Sequence, residues 1–218
     1  MTVSALEVYE QELRALSRPF GSGTERCWVR YADGRRRQLP VKRWAAAADA
    51  ADLRLVRRCH GPTLDVGCGP GRLTAALTVR GVPALGIDVA PLAVRLTRES
   101  GAAAIRRSVF DRIPGEGRWT AVLLADGNVG IGGEPGRLLS RCAELITSDG
   151  SVLVELDPPG TTSRTVAVRL ERADARSAWF RWAHLDTDDL AGTAAEAGLA
   201  VHDRWTVASR WFAELIRA

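Results

Sequence analysis

The segment 63–72, Thr-Leu-Asp-Val-Gly-Cys-Gly-Pro-Gly-Arg, constrains this chain more than any other. Leu64 and Val66 make a short apolar run that reads as a buried strand. It leads directly into Gly67, Gly69 and Gly71, and residues 72–80 then read as a helix with Leu73 and Leu77 on one face. Strand, glycine loop and helix together bring backbone close to a ligand. Glycine lacks the Cβ that would block the approach, and the helix start offers unpaired N–H groups and a positive dipole end.

The spacing narrows the ligand. A dinucleotide fingerprint, Gly-x-Gly-x-x-Gly, would need glycine at position 72, where Arg72 stands. The pattern is Asp-x-Gly-x-Gly-x-Gly instead. A second strand-like run, 84–88, ends in Asp88 one βα unit downstream, where an acid takes ribose hydroxyls. Over residues 63–159, and more loosely beyond, these features resemble the class I S-adenosylmethionine-dependent methyltransferases. The resemblance implies an α/β, Rossmann-like fold: a seven-stranded, mostly parallel sheet with one antiparallel strand and helices on both faces. It also implies S-adenosyl-L-methionine as cofactor and S-adenosyl-L-homocysteine as product. Asp65, Gly67, Cys68, Gly69 and Gly71 would hold the methionine part and Asp88 the ribose, with Val89 also at the cofactor.

After Asp88, Pro91 opens a helix to Glu99, closed by Gly101. Residues 103–109 read as a third strand, followed by Phe110 and Asp111. In the family this loop lies along the adenine edge, so Val109, Phe110 and Asp111 are expected there; the acid position aligns with Ser108 or with Asp111. The apolar run 119–125 reads as the central strand. It ends in Asp126-Gly127-Asn128-Val129-Gly130-Ile131-Gly132-Gly133, at the carboxyl end where open α/β sheets bind ligands. Asp126 and Gly127 are expected at the cofactor, Asp126 also as a candidate base, and Asn128 at the acceptor. An Asn/Asp-Pro-Pro-Tyr motif, carried here by some amine-methylating members, is absent. Residues 135–146 read as an amphipathic helix and 151–156 as the next strand, with Glu155 and Asp157 as turn or capping acids near the pocket.

Residues 1–60 precede the cofactor fold and read as a helical and hairpin lid, with 61–218 as the cofactor-binding domain. Ser4 to Glu7 fits a capping box, with Leu6, Tyr9, Leu13 and Leu16 on one helical face, ended by Pro19 and Gly21-Ser22-Gly23. Residues 27–31 and 35–39 form a hairpin around Asp33-Gly34, and 45–59 a helix. Trp28, Tyr31, Arg43 and Trp44 are candidate acceptor residues, and Arg35, Arg36 and Arg37 add to a basic lid. A substrate-recognition insertion is expected at about 161–186, with strands at 165–170 and 177–185. It brings Trp182 and His184; His184 is a candidate general base because histidine titrates where proton transfer is useful. Thr187 is expected to cap a helix reaching residue 197, and 201–207 with 211–216 make a final hairpin. His60 and His202 receive no role.

Composition sets the remaining bounds. The 218 residues carry a formal charge of +4, nearly all the cations being arginine, with Lys42 the only lysine. Spread along the chain, that charge is no nucleic-acid patch, so nucleic acid is not the expected partner. Four cysteines show no C-x-x-C pair and no zinc spacing, so no metal is expected. The polar, acidic N-terminus and the lack of a long apolar run predict a cytoplasmic protein without a membrane partner, as monomer or homodimer. The expected activity is methyl transfer to a small-molecule or peptide acceptor, oxygen being the favoured atom and nitrogen next. The alternatives are an RNA-modifying methyltransferase and a non-catalytic S-adenosylmethionine-binding protein.

Overall fold

A computed structural model describes residues 2–16 and 26–218. In chain order these form β1 (Thr2–Val3), α1 (Ala5–Leu16), β2 (Trp28–Tyr31), β3 (Arg36–Gln38), α2 (Val41–Trp44), α3 (Ala50–Val56) and β4 (Thr63–Val66). Next come α4 (Arg72–Val79), β5 (Ala84–Asp88), α5 (Pro91–Glu99), β6 (Ala104–Arg106) and β7 (Trp119–Leu124). A 3-10 turn (Asn128–Gly133) leads to α6 (Pro135–Leu145), β8 (Ile146–Leu156), β9 (Arg164–Glu171), β10 (Arg176–Ser177) and β11 (Phe180–His184). The chain closes with α7 (Leu190–Glu196), β12 (Leu199–Val207) and β13 (Arg210–Arg217).

The main sheet has the order β12-β13-β8-β7-β4-β5-β6. All its strands run parallel except β13, which is antiparallel to both neighbours. β4 lies near the centre, and all four of its residues are buried. Its sequence, Thr-Leu-Asp-Val, alternates polar and apolar residues although both faces are covered; the buried Thr63 hydroxyl donates to the Gly61 carbonyl and the buried Asp65 carboxylate accepts from the Thr74 hydroxyl. One face packs on α6 and α7 through Leu138, Leu139, Leu145 and Leu190. The other packs on α3 and α4 through Leu55, Val56, Leu73, Leu77 and Phe212. Each fully buried aliphatic side chain contributes about 1.5–3 kcal/mol relative to exposure.

A second sheet, in the order β1-β10-β9-β2-β3 with β11 also on β9, roofs the carboxyl ends of the main strands. The N-terminal hairpin and the insertion are therefore one structure. Val29 pairs with Leu170 and Tyr31 with Val168, so the hairpin's apolar positions share a face with those of β9.

Several local expectations hold. The Ser4 hydroxyl accepts from Glu7 N (3.1 Å) and the Glu7 carboxylate from Ser4 N (2.7 Å). The hairpin turns at Asp33-Gly34, with Gly34 at φ +92°. Others do not. The helix expected over 45–59 is split: α2 ends at Trp44, and α3 starts only at Ala50, where Asp49 and Asp52 form a reciprocal capping box. A side chain that captures orphan amides outweighs the alanines' helix propensity. β6 spans three residues rather than 103–109. Asp186, not Thr187, organises the entry to α7, its Oδ1 accepting from Asp188 N and Asp189 N. Pro19 and Gly21-Ser22-Gly23 lie outside the described residues.

Candidate functional site

A cavity of about 620 Å³ lies between the carboxyl ends of the main strands and the second sheet. Its floor is the β4–α4 loop, the end of β5, the loop after β7 and the end of β8. Its roof is the inner face of the second sheet, carrying Val29, Tyr31, Arg37, Leu170, Phe180, Trp182 and His184. The period of two in β2, β3, β9 and β11 puts these residues on one side through the observed register.

The glycine loop turns on left-handed backbone. Gly71 stands at φ +92° as the residue before α4, and a Cβ there would lie 2.6 Å from the Thr97 side chain. Asn128 ties this loop to the one after β7: its Nδ2 donates to the Val66 carbonyl (2.8 Å) and the Gly67 carbonyl (3.0 Å). Asp88 accepts from Gly69 N (2.9 Å) through Oδ2 and from Ala90 N (2.8 Å) through Oδ1. A carboxylate has about four lone-pair sites, so both oxygens retain acceptor capacity toward the cavity. Burial raises the Asp88 carboxyl above its ordinary range, opposed by those amide donors. Asp65 is buried and accepts from the Thr74 hydroxyl (2.6 Å). Burial, with Asp126 and Asp88 nearby, pushes it up to about 6.

Below the loop after β7 lies an ion-pair network. Arg72 is wedged between Asp52 and Asp126. Arg43 of α2 reaches Asp126 (2.7 Å). Arg210 of β13 reaches Asp52 (2.8 Å) and Glu155 (2.7 Å). Asp126 itself has φ +55°, and its amide donates to Glu155 (2.6 Å). Strained non-glycine backbone at a central strand end marks an over-determined site. With the guanidinium groups of Arg43, Arg72 and Arg210 on its carboxylate, Asp126 is a tether between the α2 lid and the sheet.

His184 is held differently. Its Nδ1 lies 2.7 Å from Asp157 Oδ2, and its Nε2 is buried without a hydrogen-bond partner. The Tyr31 ring lies 6.0 Å away, centroid to centroid. The bond to Asp157 fixes ring orientation and leaves Nε2 as the nitrogen without a partner.

The cavity wall gathers Asp65, Gly67, Cys68, Gly69, Asp88, Val89, Val109, Asp126 and Gly127 of the expected cofactor set, with Tyr31, Arg43, Trp44, Asn128, Trp182 and His184 of the acceptor set. Gly71 sits behind it on Thr97. Phe110 packs under Arg137 (4.4 Å to the ring centroid), and the Asp111 carboxylate turns back to accept from Ser108 N (3.2 Å). Ser108, not Asp111, reaches the wall. Trp28 faces away on the second sheet's outer side, with Arg36 over its ring at 4.6 Å. Sequence reasoning missed Tyr9, Arg72 and the pairing of Asp157 with His184. Tyr9 hid in an apolar helical stripe and Arg72 behind the glycine motif.

The strand order, the single antiparallel strand and the glycine loop followed by Asp88 define the Rossmann-like fold of class I S-adenosylmethionine-dependent methyltransferases. No family model matches the chain. Among solved structures, it is similar to a SAM-dependent methyltransferase from Bacteroides fragilis in complex with S-adenosyl-L-homocysteine, with a TM-score of 0.75 and 21% identity over 99% of this chain and 93% of that one. It is also similar to the Burkholderia thailandensis 1,6-didemethyltoxoflavin-N1-methyltransferase with bound 1,6-didemethyltoxoflavin and S-adenosylhomocysteine (TM-score 0.59, 20% identity, 81% and 80% covered). A third is the glycopeptide N-methyltransferase MtfA complexed with S-adenosyl-L-methionine (TM-score 0.61, 16% identity, 79% and 95% covered). At these identities the likeness shows the fold. No helix among the described residues is long and apolar enough to cross a membrane.

Proposed function

We propose that this protein is an S-adenosylmethionine-dependent methyltransferase that modifies a small-molecule or peptide acceptor at an oxygen atom, His184 serving as the general base. The observation that carries the reading is His184, a residue of the cavity wall whose Nδ1 is held by Asp157 while its buried Nε2 has no hydrogen-bond partner. The fit of the cofactor rests on the glycine loop, on the spare acceptor capacity of Asp88 and on the buried acid Asp65. S-adenosylmethionine supplies, when bound, a methyl group already activated on a sulfonium.

The chain's own task is then to orient the acceptor, exclude water and take up a proton. A hydroxyl acceptor sheds its proton as the new O–C bond forms, and a neutral imidazole nitrogen accepts it. Val29, Leu170, Phe180 and Trp182 give the acceptor an apolar roof. Of the four lid arginines, Arg35 pairs with Asp33, Arg36 covers Trp28 on the outer face, and Arg43 pairs with Asp126. Arg37 lines the cavity with no ion pair among the described residues. It suits an anionic group on the acceptor.

Transfer of labelled methyl from S-adenosylmethionine into a fractionated metabolite extract, followed by identification of the labelled product, tests the reading. A methoxy product whose formation His184→Gln slows about 10²- to 10⁴-fold is expected; a methyl ester would keep the oxygen assignment and overturn the role of His184 as base. Labelled product in which the methyl sits on nitrogen would overturn the oxygen assignment. An unchanged acceptor KM in Arg37→Ala would remove the anion site.

A further inference from the structure

The second sheet has a face that the cavity does not use. In β2, Val29 and Tyr31 line the cavity, so Trp28 and Arg30 lie on the opposite side. There the register sets three arginines in one row. Arg36 of β3 stands directly opposite Arg30 of β2, and Arg30 directly opposite Arg169 of β9. Like charges directly opposite one another destabilise a sheet. Of the three, only Arg169 has an ion pair among the described residues, Glu171 accepting from its Nε at 2.8 Å. Along the sequence these arginines form no patch; strand pairing gathers them.

Aromatic rings frame the row. The Arg36 guanidinium lies over the Trp28 ring (4.6 Å to the centroid) and that of Arg169 over the Trp179 ring (4.7 Å). Trp179 is 46% exposed, so this end of the row opens to solvent. A guanidinium donates in its own plane. Contact between its flat face and a ring therefore leaves its donors available. Tryptophan and arginine are also the residue types that carry most of the energy at protein interfaces.

We infer that this outer face docks an extended acidic segment of a partner protein, with alternate carboxylates on Arg36, Arg30 and Arg169. Neighbouring strands lie about 4.8 Å apart, so the row spans about 10 Å. Side chains on one face of an extended chain repeat every 6.8 Å or about that. Three alternate acids then match three arginines within the reach of these long side chains. Each carboxylate can take two guanidinium donors at once, and the added negative charge relieves the repulsion along the row. A single-stranded nucleic acid suits the face less, because its bases need open ring faces for stacking, and arginine already covers both rings. The surface lies outside the cavity, so the inference stands apart from the methyl-transfer reading.

The test is fluorescence anisotropy at about 50 mM salt with three labelled probes. One is a peptide alternating glutamate and serine, the second its glutamine counterpart, and the third a short single-stranded oligouridylate. The proteins are the wild type, a row variant combining Arg30→Gln, Arg36→Gln and Arg169→Gln, and a control combining Arg54→Gln, Arg57→Gln and Arg80→Gln at exposed positions elsewhere. The glutamate peptide should bind the wild type and the control alike and the row variant about tenfold or more weakly, the sum of three modest exposed pairs. Arg30→Glu alone, which leaves both arginine–tryptophan contacts in place, should lose several-fold; it carries the test if the row variant does not unfold cooperatively. Equal losses in the row variant and the control would mean net charge alone and overturn the inference. So would a glutamine peptide that binds as well as the glutamate peptide, an oligouridylate that binds more tightly than either, or no binding of the glutamate peptide.

Discussion

Asp157 Oδ2 lies 2.7 Å from His184 Nδ1, joining the end of β8 to the roof over the cavity. An acid on the main sheet thereby sets the orientation of an imidazole on the second sheet. If the pair works as a base and its orienter, His184→Gln should lower the rate of methyl transfer about 10²- to 10⁴-fold. Asp157→Asn should lower it less, by loosening the ring. Both should bind S-adenosylhomocysteine as the wild type does. Single-turnover transfer alongside calorimetry separates these effects, and a rate within a few-fold of wild type would remove His184 as the base.

Asp65 makes the protein's behaviour depend on pH. Its folded-state carboxyl is raised to about 6, above an unfolded value of about 3.9. The associated stabilisation is fully present below the unfolded value and lost as pH rises through about 6. At neutral pH the ligand-free fold then carries a penalty of about 3 kcal/mol from this buried charge, and Asp88, also raised by burial, acts in the same direction. Asp65→Asn should therefore raise the melting temperature of the ligand-free chain at about pH 7.5 and change it little at about pH 4.5. A cationic ammonium on the bound cofactor offsets the penalty, so affinity for S-adenosylhomocysteine should rise with pH through about 6, and this rise should vanish in Asp65→Asn.

Arg72 carries structural weight out of proportion to one side chain. The Asp52 side chain it contacts is only 1% exposed, and Asp126 shares the same guanidinium. Arg72→Met leaves both acids short of a partner, and breaking a buried pair from one side costs about 3 kcal/mol or more. Urea unfolding should show a lower midpoint at unchanged slope. A midpoint equal to wild type would mean that Arg43 and Arg210 carry the network alone.

Two glycines separate backbone strain from crowding. Gly81 has φ +72° with nothing within 4 Å of an added Cβ, whereas Gly71 has φ +92° and Thr97 at 2.6 Å. Gly81→Ala should cost about 1–2 kcal/mol, the left-handed penalty. Gly71→Ala should cost clearly more, and Gly71→Ala with Thr97→Ser should recover part of the difference. Equal losses at the two sites would show that the loop absorbs the extra carbon.

The cofactor half of this site was legible because it is local. Strand, glycines and acid lie within residues 63–88, and backbone chemistry dictates their order. The roof was legible only as separate hairpins, since nothing local says that Val29 will pair with Leu170. Asp49 broke the helix expected over 45–59 because a capping box competes with propensity at a point that alanine content conceals. Tyr9 was hidden for a related reason. It shares a helical face with Leu6 and Leu13, and periodicity reports that a face is covered without saying whether protein or ligand covers it. The Arg43–Asp126 and Arg210–Glu155 pairs span 83 and 55 positions, beyond any spacing rule.

The central claim is that the cavity between the two sheets is an S-adenosylmethionine site. It is met most directly by titrating the purified protein with S-adenosylhomocysteine, with NAD as the control and Asp88→Ala as the variant. Saturable one-to-one binding of S-adenosylhomocysteine, none of NAD, and at least a tenfold loss in Asp88→Ala are the expected results. Binding of NAD in preference, or of neither ligand, would contradict it.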